Sequence, residues 1–264
     1  MQISELFFEL SHEGRLNILK AVFGGNKKHA QLVNELGLPG PEISRHLIRL
    51  QKMKLIQKVP NGSYQLTSFG RLLLEVIPFL ENGLNFIDFI NSHDFSPIPL
   101  DILLRIGSLP EVELKTMTME NIELWGELVK TATNFIYSIT NQVQTSIIPI
   151  FIEQAHVGAA PEMKAIIDAE LFKKYLQPEY LIPNVTRVMK EINFFDNVRI
   201  ATELNISLTI TDKGALIFLR SSKNIDYGQG IFGRSEEFIQ ATKKVFNLFW
   251  NRSRIISHLD LIVQ

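Results

Sequence analysis

Between Glu42 and Lys52 the chain reads EISRHLIRLQK. Ile43, Leu47 and Leu50 recur at spacings of four and three, the apolar stripe of one helix. The opposite face offers Ser44, Arg45, Ile48, Arg49 and Lys52. Arginine and serine on an exposed helix can reach base edges in a DNA major groove. Lysines beside them can bind phosphates. Shortly after, Pro60-Asn61-Gly62 sits between two short β-prone runs, Ile56–Val59 and Ser63–Leu66. Asn-Gly between such runs signals a tight hairpin. Lys58, Asn61 and Tyr64 on that hairpin could add backbone or minor-groove contacts. Together these residues form a candidate double-stranded DNA interface.

Other chemistry is sparse. The chain has no cysteine, which excludes disulfides, iron–sulfur clusters, thiolate zinc sites and cysteine nucleophiles. None of the six histidines has a lysine two residues on, so a phospholipase-D-like His-x-Lys pattern is absent. No two histidines lie three to five apart, so a helical histidine pair for zinc is not expected. Gly228–Gly233 matches G-x-G-x-x-G, but a dinucleotide site needs those glycines directly after a strand that opens a βαβ unit. The expected strand ends near Arg220, so the segment reads as a glycine loop entering the last helix. Glu236-Glu237 follows Ser235 and reads as acids complementing a helix N-terminus. Arg187, Arg199, Asp226 and Tyr227 are candidate effector-binding groups, with ordinary ion pairing as the alternative. No catalytic residue, metal or cofactor is expected.

The elements that must position these groups follow from periodicity. Ser4–Phe23 reads as two helices split by Ser11 as an N-cap, and Gly24-Gly25 ends the second. Ala30, Leu32, Val33 and Leu36 mark a third helix closed by Gly37. Pro41 suits the first turn of the basic helix. Thr67 can cap a long helix from Phe69 to about Ile90, which Pro78 should kink or divide. That helix carries two apolar stripes, Leu73-Ile77-Leu80-Leu84-Ile87 and Leu72-Val76-Phe79-Phe86-Ile90. Two stripes suggest one face on the protein and one on a partner.

His93–Pro99 reads as a polar boundary within a linker spanning Asn91–Glu111, with a short helix at Leu100–Ile106. The second half alternates. Strands are expected at Val112–Met117, Asn134–Thr140, Glu162–Asp168, Val198–Thr202, Ile206–Thr211 (half-buried) and Ala215–Leu219. Helices are expected at Ile122–Thr133, Ile147–Val157, Leu171–Lys174, Val185–Ile192 and Glu236–Arg254. Such alternation argues for α/β.

A chain of 264 residues, 45% hydrophobic and 21% charged, suits two modest globular domains. The net charge of −1 hides an asymmetry. Residues 1–70 hold nine Lys/Arg against five acids, +4, and the remainder carries −5. A basic head on an acidic body points to a polyanion at one end. No apolar run is long enough for a bilayer, and the N-terminus lacks a signal-peptide pattern. No membrane partner and a cytoplasmic location are expected.

Glu42–Leu50 followed by Leu55-Ile56 resembles the recognition helix of ArsR-type winged-helix repressors. The resemblance implies that Ser44, Arg45 and Arg49 face DNA; a histidine at 46 usually lies on the DNA side in this family, with a satisfied surface or core residue as the alternative. His93–Pro99, Arg105–Leu109, Ile225-Asp226-Tyr227 and Val245–Trp250 resemble archaeal winged-helix regulators of the methanogenesis-regulator type. The expected architecture is mixed, α+β or α/β. It comprises a winged helix-turn-helix at 1–68, dimerisation and linker helices at 69–110, and an α/β effector-sensing domain at 111–264. The expected function is a homodimeric DNA-binding regulator with a small-molecule or protein effector, not an enzyme. A protein-interaction module, or an enzyme acting through the C-terminal half, are the alternatives.

Overall fold

The computed structural model describes residues 2–142, 153, 161–175 and 194–256. The chain divides into two compact units, Met1–Glu81 and Asn82–Gln264.

The first unit holds α1 (Ile3–Leu10), α2 (Glu13–Phe23), α3 (His29–Leu36), α4 (Gly40–Lys52), β1 (Ile56–Lys58) and β2 (Tyr64–Leu66). It also holds most of α5 (Ser68–Asn85). Ile18, Leu19, Leu32, Ile43, Leu47 and Leu50 form one buried core with Leu74 and Ile77 of α5. The split near Ser11 is present, but the cap differs from expectation. Ser11 closes α1, donating its amide to the Phe7 carbonyl. His12 caps α2, its Nδ1 accepting from the Gly14 amide at 3.2 Å. Gly37 ends α3 in the left-handed region at φ 66°, where a Cβ is strained. Tyr64 pairs with Lys58 across the hairpin and with Lys27 on its other side. Pro78 sits inside a continuous α5, and the helix stops at Phe86 instead. The expected stripes are also re-sorted. Leu74 and Ile77 are buried, whereas Phe69, Leu72, Val76 and Leu80 are exposed.

One buried carboxylate ties three helices. Glu9 on α1 pairs with Arg15 of α2 at 3.0 Å and with Arg49 of α4 at 2.5 Å. Arg15 also donates to the Glu9 and Phe8 carbonyls, satisfying the open end of α1. The hydrogen bonds from Arg49 hold the Glu9 carboxyl below its usual range.

The second unit adds α6 (Ile87–Ser92), α7 (Leu100–Gly107), β3 (Glu113–Lys115), α8 (Thr118–Thr131), β4 (Phe135–Thr140) and β5 (Glu162–Asp168). Then come α9 (Ala169–Tyr175), α10 (Phe194–Asn197), β6 (Val198–Ala201), β7 (Ile206–Thr211), β8 (Gly214–Ser221), β9 (Asn224–Gly233), α11 (Glu236–Arg252) and β10 (Arg254–Ile255). The strands form one mixed sheet in the order β10-β6-β5-β4-β7-β8-β9-β3. Among the described residues only the β4–β5 and β5–β6 pairs are parallel. The fold is therefore a helical winged unit followed by a mixed α/β sheet unit, α+β overall. The helices expected at Ile147–Val157 (residue 153 apart) and Val185–Ile192 lie outside the described residues, as does Arg187.

Both faces of the central strands are covered. Ala215, Ile217 and Leu219 of β8 pack with Phe238, Val245 and Phe246 of α11. Leu216 and Phe218 of the same strand pack with Leu128 of α8. This explains the unbroken apolar run of β8. It also corrects the half-buried reading of β7, where all six residues are buried. Ser207 stays satisfied by donating to the Ile139 carbonyl at 3.0 Å. The glycine segment is corrected too. Gly228–Gly233 lies inside β9, bonded to β8 on one side and β3 on the other. His93–Pro99 is docked rather than free: His93 is buried against Phe89, and Asp94 pairs with Arg220 at 2.9 Å.

Two outcomes test this account. A Cβ at Gly70 would lie 2.1 Å from the Leu55 carbonyl oxygen. Gly70→Ala should therefore cost at least about 2 kcal/mol in urea unfolding, because the contact is backbone and cannot rotate away. A cost below the error of the fit contradicts this close approach. Glu9→Gln should cost about 2–3 kcal/mol at neutral pH, discounted because Arg49 is half-exposed. The Glu9 carboxyl is depressed in the folded state, so its stabilisation is full above the unfolded value of about 4.3 and fades as pH falls below that. Acid unfolding curves should be shallower for E9Q than for the parent; parallel curves contradict the assignment.

Candidate nucleic-acid interface

α3 and α4 form the helix-turn-helix, and β1–β2 form the wing. Within α4 the apolar stripe expected from spacing is buried as read: Ile43, Leu47 and Leu50 are fully enclosed. The polar residues around it divide into three groups.

Arg45 and Lys52 are exposed and make no ion pair among the described residues. Between them Ile48 is 65% exposed. The three lie at i, i+3 and i+7, one outward stripe. This stripe is the part of the helix that a groove could receive.

Ser44 and Arg49 are already engaged. The Ser44 hydroxyl lies 2.9 Å from His29 Nε2, which also lies 3.1 Å from the Gly40 carbonyl. Arg49 clasps both carboxylate oxygens of Glu9 and lies 5.6 Å from the Phe8 ring centroid. Its side chain stays 46% exposed. It can therefore present one edge outward while its direction is set by α1.

His46 is corrected. It is only 6% exposed and does not share the outward stripe. The i+3 step from Ile43 to His46 turns it toward the start of α2, against His12. Burial lowers its pKa, favouring the neutral ring.

On the wing, Lys58 is exposed, with its ammonium 5.8 Å from the Tyr64 ring centroid. Asn61 is exposed, but its Oδ1 accepts from the Ser63 amide and hydroxyl, so its carbonyl side holds the turn. Tyr64 is half-buried. Sequence reasoning missed Glu9 and His29, which orient Arg49 and Ser44. Neither carries a local signal, since Glu9 is 40 residues from its partner and His29 is 15 from Ser44.

Among the described effector candidates, Arg199 lies far from Asp226 and Tyr227. Arg199, on β6, donates to the Trp250 carbonyl at 2.6 Å and lies over that ring. Asp226 and Tyr227 are on β9, five places away in the sheet order. Asp226 accepts from the Gly228 amide and faces His93 Nε2 at 3.3 Å. The Tyr227 hydroxyl donates to Asn141. Arg199, Asp226 and Tyr227 are each used in local contacts, at two separate places in the sheet.

The model of the "Bacterial regulatory protein, arsR family" matches residues 12–58. No curated protein matches the chain. Among solved structures the chain is similar to TrmBL2, an archaeal chromatin protein. That likeness covers 90% of this chain and 92% of TrmBL2, at 14% identity and TM-score 0.43. It is also similar to the RosA dimethyltransferase from Streptomyces davawensis, at 12% identity and TM-score 0.25. A third likeness is to the S-adenosylmethionine-dependent methyltransferase SibL, at 13% identity and TM-score 0.27. Each of these two covers 75% of this chain and 62% of the methyltransferase. The expectation that the chain is not an enzyme is withdrawn on these likenesses. At such TM-scores they assign it no activity. Among the described residues no helix is long and apolar enough to cross a membrane. Residues 12–58 are an ArsR-family helix-turn-helix domain, followed by a winged hairpin, and they support a DNA-binding transcription regulator.

Proposed function

We propose that this chain binds double-stranded DNA as a homodimer, and that its α/β unit couples binding to an effector. The observation that carries the DNA part is the outward stripe Arg45-Ile48-Lys52 on α4 within an ArsR-family domain. Arg45 reads base edges in the major groove, Ile48 offers an apolar contact for a thymine methyl, and Lys52 binds phosphate. Lys58 and the outer side of Asn61 extend the footprint through the wing. Ser44 and Arg49 contribute from positions fixed by His29 and Glu9.

The dimer part is supported by α5. Phe69, Leu72, Val76 and Leu80 recur at three, four and four residues and are exposed, which is costly for a lone helix. A second copy of the same face would cover them. Two heads would then meet half-sites about one helical turn apart. We place effector sensing in the α/β unit from residue 111 onward; its support is that the sheet, covered on both faces, belongs to a different compact unit from the winged helix. An effector would act through different affinities for two arrangements of the heads.

The DNA reading is tested with genomic fragments selected on the protein and then used as labelled duplexes. Affinity should fall steeply with salt. Arg45→Ala should cost about 1–3 kcal/mol and relax specificity at one position, and Lys52→Ala should lower the salt slope by about one. Parent-like binding by both variants overturns the reading. For the dimer, light scattering should report two chains per particle, and Leu72→Glu with Val76→Glu should give monomers that still fold. A monomeric parent, with or without DNA, removes the role assigned to α5.

A further inference from the structure

The first turn of α2 and the recognition helix bring three ligating side chains together. His12, Glu42 and His46 each offer one ligand atom, and these atoms lie within 4.8 Å of one another. Glu42 and His46 are one helical turn apart, with Oε1 and Nε2 separated by 3.4 Å. His12 approaches across the gap, its ring centroid 4.5 Å from that of His46. Gly14 keeps the gap open: a Cβ there would come 3.1 Å from His46 Nε2.

We propose that this cluster is a site for a divalent transition-metal ion of the zinc or cobalt class. Two imidazoles and one carboxylate form a donor set suited to such ions. Ligands about 2.05 Å from a tetrahedral metal are about 3.3 Å apart, so the Glu42–His46 pair already has the needed separation. His46 is buried, and its Nε2, the atom that faces Glu42, is the one the gap at Gly14 leaves open. His12 is exposed and Glu42 half-buried, so the cluster opens to solvent. Spacing along the chain hides the site, because its histidines are 34 positions apart, far beyond the three to five of a helical pair.

Occupancy has a structural signature. His12 Nδ1 caps α2 by accepting from the Gly14 amide. If Nδ1 binds the metal, that lone pair is used. If Nε2 binds, Nδ1 carries the ring proton and can no longer accept. Either way the Gly14 amide loses its acceptor as the ion links α2 to α4. The site stands on helix geometry and does not depend on the DNA reading.

The test uses the full, untagged chain, stripped with chelator and titrated with Co(II) and then Zn(II). Calorimetry should give one ion per chain, cobalt should give visible d–d bands, and the Gly14 amide resonance should move. His12→Asn retains an N-capping oxygen, and Glu42→Gln alters a half-buried group, so both should fold, as checked by circular dichroism. Each should weaken binding by about tenfold or more, at least the loss seen when outer partners of ligands are removed. No binding by the parent, equal binding by both variants, or an unmoved Gly14 amide would overturn the proposal.

Discussion

The winged unit depends on a carboxylate that has left water. Glu9 is buried near the end of α1, and an unpaired charge there would be prohibitive. Two guanidiniums from different helices resolve this. Arg15 gives its Nε and Nη2 to carbonyls of α1 while facing the carboxylate, and Arg49 supplies the bidentate contact. Each partner has a geometric duty as a result. α1 cannot slide without stranding the Arg15 donors, and α4 cannot rotate without breaking the clasp on Glu9. A buried pair of this kind adds little net stability against an apolar replacement, but it specifies one arrangement. That suits a helix whose function is to hold side chains at fixed positions.

The clasp changes how the basic helix is counted. Four groups on α4 looked equally available to DNA from spacing alone: Ser44, Arg45, Arg49 and Lys52. Two of them are partly committed inward, Ser44 to His29 and Arg49 to Glu9. The freely presented set is smaller, Arg45 and Lys52 with Ile48 between them. A side chain held by a second group loses less freedom on binding. Arg49 is thus presented in a fixed direction, whereas Arg45 carries no such hold.

Periodicity carried the sequence reading wherever one face was buried and the other wet. Ile43, Leu47 and Leu50 lie inward as read, Glu162–Asp168 is a strand with the expected limits, and Ser235 caps the last helix. Reading failed where tertiary cover overrides pattern. β7 alternates like a half-buried strand, yet α8 and α11 cover both faces of the sheet. β9 carries three glycines and reads as a loop by propensity, yet partners on both sides hold it extended. Pro78 was expected to kink or divide α5, and the helix is not divided there but runs through it to Asn85. The site was least legible where partners are distant in sequence. Nothing local marks Glu9, His29 or the meeting of His12 with His46.

These distant contacts meet on one helix. α4 uses its apolar stripe for the core, Arg49 for α1, Ser44 for α3 and His46 for α2. Three of its polar positions thus contact three separate helices before any ligand is bound. The orientation of Arg45, Ile48 and Lys52 is therefore set from outside α4 as much as by its own core. A change at the α1 or α2 contact would turn the outward stripe without touching it. In a helix only 13 residues long, a small rotation shifts both ends of the stripe together. This makes the ties to α1 and α2 the places where the direction of the outward stripe can be adjusted, and it follows from the sharing of α4 among its neighbours rather than from any residue on its exposed face.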